Sequence, residues 1–164
     1  MSLILGSGFG LSEGTFSAFI APADDLELAL GNLFRRERGL VLYLCGNYPH
    51  ILPGLNRFSQ KFSVRRALTV FQILEILENS HHSFLIFEHD RTLYDDQADL
   101  LPIIGNKCRE QAEATKGVLL IAESPDRYIS ALEPFFHRLV YFKNITETKK
   151  VKNAGIKTMQ QTLF

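Results

Sequence analysis

Apolar positions along the chain fall into short continuous runs separated by amphipathic stretches. The runs are TFSAFI (15–20), LVLYLC (40–45), SFLIFE (83–88), GVLLIA (117–122) and RLVYF (138–142). Their lack of alternation predicts strands buried on both faces, as in a parallel sheet. Between them lie helical patterns. After residue 22, Leu26, Leu28, Leu30, Leu33 and Phe34 supply apolar positions, with Asp24 or Asp25 as the cap. Arg35, Arg36 and Arg38 close this helix where cations suit its dipole, and Gly39 stops it. Residues 65–79 read as a second amphipathic helix carrying Leu68, Phe71, Ile73, Leu74, Ile76 and Leu77. Residues 97–115 read as mostly helical with an irregularity at Pro102 to Gly105, and Pro125 starts a further helix that Pro134 ends or kinks.

This alternation of strand and helix predicts an α/β fold, a mostly parallel sheet covered by helices on both faces. Ligands of such sheets bind at the carboxyl ends of the strands. Those ends carry the loops at 21–25, 46–50, 88–92 and 122–126. Residues 1–14, with Gly6, Gly8, Gly10 and Gly14, read as loop, and residues 46–63 as irregular with a helical turn near Leu55 to Lys61.

Composition narrows the picture. The 164 residues suit one domain, residues 1–143, followed by a basic hairpin or tail, 144–164, that holds Lys149, Lys150, Lys152 and Lys157. Net charge is zero, so the overall field announces neither nucleic acid nor a membrane. Cys45 and Cys108 have no metal-motif spacing and read as reduced thiols. No signal-peptide pattern or membrane-length apolar run stands out, which predicts a cytoplasmic protein.

The order of segments resembles the core domain of the RecA/RadA/KaiC-like ATPases, especially archaeal RadA and its paralogues, over about residues 3–143. LILGSGFGLSEGTFSAFIAP is similar to the family's glycine-rich lead-in and first strand, LVLYLCGNYPHILPGL to the next strand and its loop, and RALTVFQILEIL to the helix that follows. FLIFEHDRTLY resembles the Walker B strand, GVLLIAES the sensor strand and FHRLVYF the last core strand. The resemblance implies a three-layer α/β/α domain. It also implies Glu88, with Asp90 beside it, at the Walker B position, and Asn47 near the place of the catalytic glutamate.

The chemistry departs from the family at the phosphate loop, GxxxxGK[ST], whose glycines and lysine gather N–H groups and positive charge on phosphate. Laid on this chain, that motif falls on Ala21, Pro22, Asp24, Asp25, Leu26, Glu27 and Leu28. The turn has the length but not the chemistry, since three carboxylates would face a triphosphate. The expectation is a protein that is not an enzyme and has no cofactor. It would be a non-catalytic paralogue serving as an accessory module in DNA recombination or repair, with a RecA/RadA-type recombinase or another DNA-processing protein as partner. A homo-oligomer is compatible with this reading, and no membrane partner is implied. The alternatives are a hydrolase working through Glu88 and Asp90, and a KaiC-like scaffold.

Three further features are candidate sites. RFSQKFSVRR interleaves Phe58 and Phe62 with Arg57, Lys61, Arg65 and Arg66, a composition suited to single-stranded nucleic acid, or to two inward-packing aromatics between solvated charges. Gln160, Leu163 and Phe164 resemble the start of a sliding-clamp-binding peptide, cut short after one aromatic residue. His50, His81, His82, Glu88, His89 and Asp90 gather on loops but match no ligand spacing, so no metal site is assigned.

Overall fold

A computed structural model describes residues 2–4, 10–55, 62–143 and 157–162. The five apolar runs form strands as expected: β3 (Thr15–Ile20), β4 (Val41–Cys45), β6 (Phe84–Glu88), β7 (Gly117–Ala122) and β8 (Arg138–Lys143). Every residue of β4, β6 and β7 is buried, which is why these runs show no polar face.

With β5 (Phe62–Arg66) and β9 (Lys157–Thr162) they make a seven-stranded sheet in the order β5-β4-β6-β7-β3-β8-β9. Six strands run parallel, and β9 lies antiparallel on β8 with Lys143 opposite Lys157. A separate antiparallel pair, β1 (Ser2–Ile4) and β2 (Gly10–Ser12), lies in the glycine-rich region read as loop.

Alternate residues of each strand feed two cores. On one face Phe16, Ala18, Leu44, Phe87 and Leu120 meet the apolar stripes of α2 (Val70–Asn79), α3 (Leu101–Ala114) and α4 (Arg127–Leu132). On the other, Phe19, Tyr43, Ile86 and Ile121 meet Leu26, Ala29, Leu30 and Leu33 of α1 (Ala23–Arg36). The architecture is therefore three-layered, with a mostly parallel sheet between helices.

Four local expectations are corrected. Arg65 and Arg66 do not open a helix; they end β5, opposite Leu44 and Cys45. Helix α2 starts five residues later, where the Thr69 side chain accepts the Gln72 N–H. Leu68 and Phe71, expected on its buried stripe, are 59% and 61% exposed. Pro102 causes no irregularity, because it sits in the first turn of α3, where its missing N–H costs nothing. Helix α1 has Pro22 at its cap position with no side-chain cap, so Asp24 and Asp25 act only through the dipole.

The helix from Pro125 is also displaced. Asp126 is its cap and takes the N–H groups of Tyr128 and Ile129.

Candidate functional site

The connection from β3 to α1 is two residues long. Ala21 is buried and its N–H bonds the Ala122 carbonyl at 3.0 Å, so it continues the sheet. The helix begins at Ala23, and the Leu26 N–H already returns to the Pro22 carbonyl at 3.0 Å. A phosphate cradle needs a loop of several residues whose N–H groups converge on one point. The loop length expected from the sequence is thus not formed. Asp24 and Leu28 are exposed and Leu26 is core. The Glu27 carboxylate lies against Gly54, where a Cβ would collide with it.

The open space at the carboxyl end of the sheet lies over β4, β6 and β7. It is a cleft of about 380 Å³ lined by Tyr48, His50, Glu88, His89, Arg91 and Asp126 among others, and by no residue of 21–28. Glu88 forms its floor and is almost fully buried. One oxygen accepts the N–H groups of His50 (2.5 Å) and Ile51 (2.9 Å), and the other accepts the Tyr43 hydroxyl (2.5 Å) and the Leu52 N–H (3.4 Å).

The three N–H donors come from the loop after β4 and the hydroxyl from β4 itself, so Glu88 ties that loop to β4 and β6. Burial, then the Glu88 charge, holds the Tyr43 hydroxyl far above its usual range and keeps it a donor. The same two causes push the Cys45 thiol up to about 11, which makes it a poor nucleophile.

A second pair stands beside it. His89 Nε2 lies 2.6 Å from Asp126 Oδ2, and the imidazole is only 6% exposed. Its ring stacks on Tyr94 at 5.8 Å. Burial raises the Asp126 pKa, but the His89 bond and the two capping N–H groups outweigh it, and the carboxyl titrates below its ordinary value. His89 Nδ1 and Tyr94 Oη are buried without a hydrogen-bond partner among the described residues.

Asp90 accepts Thr92 N–H and Oγ1 and caps the turn Arg91–Leu93, as a loop carboxylate does. At the rim His50 Nδ1 is 3.6 Å from Glu123. Among the described residues no group of three or more His, Cys, Asp or Glu side chains is placed to hold a metal ion.

The remaining candidates separate. Phe62 packs on Phe34 (4.9 Å) and Tyr43 (5.8 Å), the inward alternative, so it is not a stacking platform. Arg65 and Arg66 are exposed on β5, while Arg57, Phe58 and Lys61 lie outside the described residues. Gln160 is in β9 opposite Val140, and Leu163 and Phe164 also lie outside the described residues. Among the described residues no helix is long and apolar enough to cross a membrane.

The His89–Asp126 pair escaped the sequence reading. Its one visible signal is an aspartate just before the apolar positions of YISAL, a cap pattern.

Two histidines give the domain an acid limb. His137 Nδ1 accepts the Phe16 N–H at 2.9 Å, and Arg109 Nη2 lies 3.1 Å from its Nε2. Burial and then Arg109 lower its pKa, and burial and then Arg65 lower that of His82. Folding therefore favours both neutral imidazoles, and between the folded and unfolded pKa values the unfolded chain binds more protons. Stability is expected to be full above about pH 6.5 and to fall as pH drops below it. Chemical denaturation at a series of pH values checks this. The His137→Gln variant, which keeps an acceptor, should show a shallower decline between pH 6.5 and 5.

No protein-family profile matches the chain. An uncharacterized protein of Archaeoglobus fulgidus is 38% identical over 87 residues, a match covering 52% of this chain and 44% of that protein. The chain thus spans less than half the length of this relative. Among solved structures, the RadB recombinase superposes with a TM-score of 0.64 at 13% identity, covering 99% of this chain and 90% of that one. The flagellar accessory protein FlaH from Methanocaldococcus jannaschii superposes with a TM-score of 0.59 at 10% identity, covering 95% and 80%. At such identities the likeness is one of fold, and the fold is RecA-like.

Proposed function

We propose that this chain is a non-catalytic RecA-like module, akin to the RadA paralogues, that serves as an accessory protein in DNA recombination or repair. Its partner would be a RecA/RadA-type recombinase or another DNA-processing protein. One observation carries the reading: the β3–α1 connection is the two residues Ala21 and Pro22, with Asp24 and Asp25 in the turn that follows. A triphosphate there would find only the first turn of α1 instead of a loop that wraps it, and would face the Asp24 and Asp25 carboxylates. The engagement of both Glu88 oxygens supports the same reading, because a metal-bound nucleotide would need one of them. The superposition on the RadB recombinase supports the DNA context, and that on FlaH, a flagellar accessory protein, supports a second reading, an accessory scaffold unconnected with DNA.

Titration with ATP and Mg²⁺ tests the proposal. The expected result is no saturable binding tighter than about 1 mM, a free energy of roughly 4 kcal/mol. Micromolar binding would overturn the reading of the junction, and hydrolysis abolished by Glu88→Gln would show that the domain is an ATPase.

A further inference from the structure

At the amino end of the sheet, opposite the cleft, the His137 ring completes the ladder between β3 and β8. Pairing of these strands starts at Ser17 opposite Arg138, so Phe16 lies one residue ahead of it. The His137 N–H bonds the Phe16 carbonyl at 2.7 Å, and the Phe16 N–H turns to His137 Nδ1 at 2.9 Å. A backbone N–H can only donate, so Nδ1 must present its lone pair.

That contact fixes the tautomer. With the lone pair at Nδ1, the ring proton sits on Nε2, which is therefore a donor. Burial and then Arg109 hold the His137 pKa low, which favours this neutral form. Yet the group 3.1 Å from Nε2 is Nη2 of Arg109, on α3, and a guanidinium also carries only N–H. Two donors face each other and cannot bond to each other. Among the described residues no ion pair includes Arg109. Glu113, one turn further along α3, is exposed, and its charge is the weakest of the causes acting on His137.

The missing partner is an acceptor with negative charge. A cation would meet two donors. A neutral carbonyl would satisfy the N–H groups but leave the guanidinium charge unpaired. The 3.1 Å spacing lets both groups reach one oxyanion, since N–H···O bonds of about 2.9 Å converge on one oxygen or straddle two. Both side chains are half-buried, a setting in which charge-assisted hydrogen bonds are stronger than in open water.

We infer that the Arg109 guanidinium and the His137 Nε2–H, at the amino end of β3, together bind an oxyanion, a carboxylate or phosphate group. This site is independent of the proposed DNA role and of the β3–α1 junction, because it lies at the other end of the sheet.

Nuclear magnetic resonance on the full chain tests it. Long-range ¹H–¹⁵N spectra of the imidazoles at about pH 7.5 should show His137 protonated at Nε2. Protonation at Nδ1 overturns the inference, because Nε2 would then accept from Arg109. Titration with sodium acetate or sodium phosphate, at ionic strength held constant with sodium chloride, should shift the Phe16 amide and the His137 nitrogens saturably. Arg109→Ala should weaken binding by about tenfold or more, and Arg109→Lys should recover part of it. His137→Gln should stay within about threefold of the wild type, because its amide supplies both the acceptor for Phe16 and an N–H for the anion. These shifts are read on the folded protein, so a lowered thermal midpoint does not mimic lost binding. Saturation by free acetate or phosphate assigns the site to a small anion. A response to poly-glutamate alone assigns it to an acidic side chain of a partner. No response to any of the three probes overturns the inference. A response that appears only in Glu113→Ala also overturns it, and gives both donors to Glu113 in the wild type.

Discussion

Glu88→Ala is expected to destabilise the domain by about 3–5 kcal/mol, a fall in thermal midpoint of roughly 10–15 °C for a chain of this size. The reason lies in what the carboxylate leaves behind. Ile51 and Leu52 are buried, and their N–H groups end at Glu88, as does the hydroxyl of the fully buried Tyr43. Truncation strands these donors without water, and each stranded group costs about 1–3 kcal/mol. Glu88→Gln preserves shape but aims an NH₂ group at donors, and about 2–3 kcal/mol is expected. Tyr43→Phe removes one donor together with its hydroxyl and should cost less than either.

Thermal and denaturant melts give these values. Limited proteolysis after Tyr48 or Leu52 should accelerate in the Ala variant, because the loop after β4 loses its tie. A near-native melt for Glu88→Ala would mean that the carboxylate is not this anchor. A large Mg²⁺-dependent rise in midpoint, present in the wild type and absent in Glu88→Gln, would return Glu88 to a metal-binding role.

How much of this was legible in the sequence depended on where the determining partner lies. Strands β3, β4, β6, β7 and β8 were readable within a residue or so. Strands β4, β6 and β7 are buried on both faces and must be apolar almost throughout, and that constraint is local. Strand β5 was not readable. Only Phe62 and Val64 of FSVRR pack inward, and an edge strand can carry two arginines that resemble the start of the helix behind it. The β1–β2 pair was hidden by glycines, which weaken any strand signal.

The site was legible in part. Glu88 stood out because it ends an apolar strand, yet its task is defined by N–H groups of residues 50–52, more than thirty positions earlier. No periodicity records such a contact. The β3–α1 junction was recognised by its charges, while its length was misjudged. Ala21 extends the sheet and Pro22 sets the helix at once, so nothing remains to loop out.

The second large effect concerns Asp126, a residue that the sequence pattern did not single out. Register brings the end of β6 beside the end of β7, with Glu88 opposite Ile121, so the residues just beyond them meet over the cleft. There Asp126 does two things at once. Its Oδ1 takes the N–H groups of Tyr128 and Ile129, and its Oδ2 takes His89 Nε2. Asp126→Ala should cost about 2–4 kcal/mol, of which a lost cap accounts for about 1 and a stranded, almost fully buried imidazole for the rest.

Asp126→Asn retains an oxygen for the cap and loses the charge, and about 1–2 kcal/mol is expected. The two functions separate in a double-mutant cycle with His89→Ala. If the pair is coupled, the double variant with Asp126→Ala should be less destabilised than the sum of the singles by about 1 kcal/mol or more. Additivity within about 0.5 kcal/mol would reduce Asp126 to a helix cap alone. The pH dependence gives an independent check. The folded state holds the Asp126 pKa below its ordinary value, so the unfolded chain takes up the proton first as pH falls. This contribution is present above about pH 4 and is lost progressively below it. Asp126→Asn should remove that part of the acid limb while leaving the His137 and His82 part, between pH 6.5 and 5, in place.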